Sequence, residues 1–237
     1  MIRTLPTAAL IAVFALVACQ PRQDREAAQA AAREAQAEAI ARQFEAEAAK
    51  GNWELAAAHG TVLLADHPGS AAAARVKARV DEAKTKAQAA REQRRLAGLW
   101  AYGAEPVAKG TQLSAAIYSK DVVDTGGDRP ARVRLIFRDH PEWGRSSYLT
   151  LEGGDFDCYG GCKVNVTVDD GAARPMAASR PKTDEAIAMF IEDERALWRM
   201  TKSAKTVAVE FPVKAGGTRT AVFEVGGLDP ARLPAWN

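Results

Sequence analysis

Residues 88–118 read "QAAREQRRLAGLWAYGAEPVAKGTQLSAAIY", and the chain changes character within them. As far as Leu96 they are Ala, Glu, Gln, Arg and Leu, all strong helix formers. Past Gly98, Val, Thr, Gly, Pro and aromatic residues follow at short intervals, the composition of strands and turns. The break near residue 98 decides the fold class. It predicts an α+β protein, with an N-terminal Ala-rich helical stalk and hairpin over 19–98. An antiparallel β-sandwich or open barrel with one short helix follows over 99–237.

Upstream of the break, residues 24–50 are helix formers without a breaker. Their only bulky apolar residues are Ile40 and Phe44, one turn apart, so the earlier half can bury little. It reads as a solvated stalk or a weak coiled coil. Gly51-Asn52 interrupts it, and Trp53 to Asp66 predicts a second helix. "HPGS" (67–70) ends that helix, and Ser70 can cap the next. In the third helix, Ala73, Val76, Val80, Ala83, Ala87 and Ala90 recur three and four apart, a seam for close helix packing. Gly51, Trp53, Ala56 and Pro68 resemble the second half of a tetratricopeptide repeat. The resemblance implies either a partner-binding groove or a hairpin that braces the β domain. Only one such unit is visible, whereas a solenoid needs about three.

Downstream, Leu113, Ala115 and Ile117 share one strand face, and Val133, Leu135 and Phe137 share another. "SSYLTLEG" (146–153) predicts a further strand, as do Val164, Val166 and Val168, Val207, Val209 and Phe211, and "TAVFEV" (220–225). "AIAMFIED" (186–193) is ambiguous between strand and helix, and "DERALWRMTKSA" (193–204) predicts a short helix. About eight strands joined by glycine turns fit a sandwich or open barrel.

The first residues are "MIRTLPTAALIAVFALVACQ". A short positive start precedes an apolar run too short for a membrane span of about 20 residues. Leu16-Val17-Ala18-Cys19 resembles the bacterial lipobox. That resemblance implies that residues 1–18 are a signal peptide and that Cys19 carries diacylglycerol on its sulfur and a fatty acyl group such as palmitate on its amine. It places the body in the cell envelope, anchored to the membrane through lipid. Gln20, in place of an aspartate, points to the outer membrane facing the periplasm. The chain has 32 basic and 30 acidic residues, and removal of 1–18 takes away Arg3 alone. This balance offers no excess for nucleic acid.

The exported address decides how the pair in "FDCYGGCKV" (156–164) is read. If Tyr159-Gly160-Gly161 were a hairpin loop, Cys158 would face Cys162, Phe156 would face Val164 and Asp157 would face Lys163. Facing residues lie within disulfide reach, and the compartment is oxidising. Metal and reactive-thiol readings are weaker. The spacing is not Cys-x-x-Cys, and His59, His67 and His140 are isolated in sequence.

No phosphate loop or nucleophile elbow appears, and no cofactor or metal is expected. Asp155, Asp157, Asp169 and Asp170 fit a solvated face and turns better than a calcium site. Trp143, beside His140 and Glu142, fits either a partner-binding loop or the cover of a core edge. Arg132 and Arg134, with Arg138, lie on the polar face of "ARVRLIFR" (131–138), which fits either attraction of an acidic ligand or the ordinary outer face of a half-solvated strand. Trp143, Arg132 and Arg134 are therefore the candidate partner-binding residues.

The order Trp100…Tyr102, "AAIYS", "VRLIFR", "YLTLEGGDFDC…CKVNVTVDD", "FIED", "KSAKTVAVEF" and "FEVGGLDP" resembles a module of proteobacterial envelope lipoproteins. It is more distantly similar to the invasion-associated IalB-type envelope family. The resemblance implies a compact periplasmic β domain and carries no activity. The expectation is a non-enzymatic lipoprotein that binds an envelope protein or organises the envelope. The alternatives are an inhibitor or immunity protein against a periplasmic hydrolase and, further off, a cell-wall enzyme.

Overall fold

A computed structural model describes residues 22–181 and 187–236. Cys19 and residues 1–18 lie outside them, as does the first residue of 186–193. The chain divides into two units, 1–89 and 90–237. The division falls ahead of the composition break near residue 98.

In the first unit, α1 (Arg22–Ala49) and α2 (Trp53–Asp66) match the expected helices. α3 (Ala71–Ala97) begins here and runs past the division. Gly51 takes φ +75°, and Asn52 N–H donates to Glu47 O at 2.9 Å, closing α1 with a left-handed cap. Ser70 Oγ accepts from Ala73 N–H at 3.0 Å and caps α3. Glu34 of α1 accepts from the Ala71 and Ala72 N–H groups as well. Ala37, Ala41 and Phe44 pack with Ala56, Leu63, Ala73, Val76 and Val80. Residues 22–33 of α1 are all exposed, as alanine without bulky neighbours predicts.

In the second unit one antiparallel sheet contains β1 (Trp100–Val107), β2 (Gly110–Tyr118), β3 (Arg134–His140), β4 (Gly144–Thr150), β5 (Cys162–Val168), β6 (Arg174–Ser179), β7 (Ala188–Ile191), β8 (Val207–Pro212) and β9 (Thr218–Phe223). Their order across the sheet is β1-β2-β3-β4-β7-β6-β5-β8-β9. α4 (Glu194–Ser203) is capped by Asp193, which accepts from Ala196 N–H. Alternate residues of the strands, with Leu197, Trp198 and Trp236, form one core. The ambiguous segment is a strand, β7. β6 was not anticipated, because "RPMAAS" carries a proline and few strand formers. Pro175 lies where β6 has only β5 beside it.

The expected Cys158–Cys162 hairpin is corrected. The two sulfurs are bonded, with Cα atoms 5.0 Å apart. Yet residues 156–158 do not pair with β5, because both sides of β5 are taken by β6 and β8. Phe156 bridges Val213, Val164 faces Met176, and Lys163 faces Ala177 rather than Asp157. The disulfide instead closes a turn in which Gly161 N–H donates to Cys158 O.

Candidate functional site

Strand alternation sends Val133, Leu135 and Phe137 into the core and Arg134, Ile136 and Arg138 to the opposite face. Register fixes their neighbours. Arg134 lies between Tyr118 and Thr150, Ile136 between Ala116 and Tyr148, and Arg138 between Ser114 and Ser146. Tyr148 is also paired with Phe190 of β7, their rings 5.1 Å apart. The outer face of β2, β3, β4 and β7 thus carries interleaved aromatics and arginines.

The β3–β4 turn places Trp143 at the end of this face. His140 Nδ1 accepts from the N–H groups of Glu142 and Trp143, which folds the turn back over the imidazole. The indole stacks on that ring at 3.9 Å and 10°. Lys109 holds the turn through Glu142 at 2.8 Å. Trp143 is nevertheless 67% exposed, while the His140 beneath it is buried. The Arg138 guanidinium lies 5.4 Å from both the Trp143 and Tyr148 rings, and that of Arg134 lies 5.6 Å from Tyr118. Burial pushes the Tyr148 phenol up, opposed by the charges of Arg138 and Arg134 and reinforced by Glu105.

Of the three candidate residues, Arg134 and Trp143 belong to this face. Arg132 is exposed ahead of β3, and no ring or carboxylate among the described residues meets it. Arg138, noted on the same polar strand face, joins Arg134 and Trp143, and Tyr118, Tyr148 and Phe190, which were not singled out, complete the face. The alternation of "GRSSYLT" places Tyr148 outward, but its neighbours depend on strand order, which one sequence does not reveal.

Beside Phe190 a shallow cavity of about 720 Å³ crosses β5, β6 and β7, lined by Gly161, Lys163, Ser179, Arg180, Phe190 and Glu192. Arg180 at its rim is paired with Asp155, which Lys214 also contacts at 2.7 Å. Burial alone would raise the Asp155 carboxyl. The hydrogen bonds from Arg180, Lys214 and Phe156 N–H outweigh it and hold the group at about 2.

No family model, curated protein or solved structure matches this chain.

The remaining aspartates act locally. Asp169, at φ 49°, accepts from the N–H groups of Thr206 and Lys205, and its carboxyl is lowered chiefly by the Thr206 bond. Asp157 and Asp170 are exposed. Among the described residues no three His, Cys, Asp or Glu side chains gather as metal ligands. No helix among them is long and apolar enough to cross a membrane.

Proposed function

We propose that this chain is an envelope lipoprotein, anchored through Cys19 and facing the periplasm from the outer membrane. Its β unit binds a protein partner through the face around Trp143, without catalysis. The observation that carries the docking reading is a tryptophan held in one orientation by His140 yet 67% exposed. Large aromatics presented rigidly lose little conformational freedom on binding, and Trp, Tyr and Arg dominate interface energetics. The lipobox resemblance and the paired cysteines support the exported address. The helical unit serves as spacer and brace.

Two measurements test this. Mass spectrometry of the membrane-extracted protein is expected to find a chain starting at acylated Cys19; an unprocessed chain overturns the anchoring. A photo-crosslinking residue placed at Trp143 in living cells is expected to capture one envelope protein, and the same residue at Val122 is expected to capture none. Equal capture from both positions overturns the docking reading. A captured periplasmic hydrolase would make the protein an inhibitor of that enzyme.

A further inference from the structure

The outer face of β2, β3, β4 and β7 carries two arginines that none of its own carboxylates reaches. Among the described residues Arg134 and Arg138 form no ion pair. Arg138 Nε donates to Ser146 Oγ at 3.2 Å. Arg134 Nε is buried without a hydrogen-bond partner. The neighbouring acids keep their charge but bond to other groups. Glu142 pairs with Lys109, Glu105 accepts from Gln112, and Glu192 accepts from Ser179. Lys163, exposed across β6 on the far side of the shallow cavity, adds a further cation without a carboxylate partner.

We propose that Arg134 and Arg138, flanking Tyr148, form a binding site for the carboxylates of an acidic polypeptide segment on the partner. The inference rests on the docking reading above and specifies its chemistry. A guanidinium presents a planar fork that matches a carboxylate in a two-bond contact. The two arginines stand four residues apart on β3, so their backbones are about 13 Å apart and address two separate carboxylates. Ile136 lies between them under Tyr148, and Trp143 closes one end. The partner segment therefore meets an apolar centre bracketed by cations. Four strands make this an open surface about 14 Å across rather than an enclosed pocket. That shape, with a Trp–Tyr–Arg composition, suits a protein surface.

The test is calorimetric titration of the purified mature protein at low salt with two probes of equal charge. One is an octaglutamate peptide, and the other is an oligogalacturonate. The peptide is expected to bind, and the oligogalacturonate to bind at least tenfold more weakly. The paired substitution R134Q/R138Q is expected to weaken the peptide at least tenfold, and Lys77→Gln on α3 to leave it unchanged. Circular dichroism and thermal melting confirm that the variants fold. No peptide binding overturns the proposal, as does equal binding by R134Q/R138Q. Tighter binding of the oligogalacturonate would make the face a site for acidic glycan and overturn it too. If crosslinking at Trp143 succeeds while the peptide fails, only the charge assignment falls. If crosslinking fails, the docking reading falls first.

Discussion

Asp155 takes hydrogen bonds from the Arg180 guanidinium, the Lys214 ammonium and the Phe156 N–H, and Tyr159 packs its ring against both cations. The Arg180 side chain is only 4% exposed, so this ion pair is shielded from solvent. Because the folded carboxyl titrates at about 2, below its ordinary 3.8, it stabilises the fold above pH 4. That contribution, roughly 2 kcal/mol, fades as pH falls from about 4 to about 2. Asp155→Asn removes it and takes this carboxylate from a buried guanidinium, at an expected cost of about 3 kcal/mol. Urea unfolding at pH 7 is expected to record that loss. Repeated between pH 4 and pH 2, it is expected to find a smaller decline in the variant than in the wild type. A parallel decline would remove Asp155 as the group responsible. None of this was legible in "GGDFDC", because the partners lie 25 and 59 residues further along. The Cys158–Cys162 bond was legible from the short spacing and an expected exported address, although the hairpin invoked to bring the two residues together is not there. The tryptophan's exposure was not, since burial of a loop side chain depends on what folds over it.

At the scale of elements, Gly60 sets how closely α2 meets its neighbours. A β-carbon there would lie 2.5 Å and 2.9 Å from the two methyls of Val80 and 3.2 Å from Phe44. Val80 and Phe44 are both buried and have little room to yield. Gly60→Ala gains about 1 kcal/mol of helix propensity, against a typical overpacking cost of about 1–3 kcal/mol. The net effect is expected to be destabilising by about 1 kcal/mol. In a Val80→Ala background the obstacle is gone, and the same substitution is expected to stabilise. Denaturant unfolding of the four-member mutant cycle reads this change of sign, and no change would disprove the close approach. The helices themselves were legible to within a few residues, because the apolar spacing and the Gly51-Asn52 and "HPGS" interruptions are local signals. The strands were legible from alternation except for β1 and β6, which no alternating run announced, and β7, which stayed ambiguous with helix. The pairing of 156–158 was misread because alternation says which face a side chain takes, not which strand lies beside it.

Among the described residues of the whole molecule there are two hydrophobic cores with no residue in common. The cores differ as the two compositions do, since an Ala-rich stretch cannot supply what the aromatic-rich remainder buries. In the first unit most buried side chains are alanines, with Phe44 and Leu63 the largest. Alanine removes little apolar surface from water, so that core yields less free energy than one built on Trp198, Phe137, Phe211 and Phe223. Small units with thin cores are only marginally stable. Calorimetry of the intact chain is therefore expected to resolve two transitions, the lower one from the residues before Ala90. Phe44→Ala, at a cost of about 3–5 kcal/mol, is expected to lower or abolish the first transition and leave the second in place. Phe137→Ala, which strips the ring packed edge-on to Trp198 and Trp236, is expected to lower the second alone. A single transition that both substitutions shift together would mean that the two cores unfold as one cooperative body, and separate cores would then not imply separate stability.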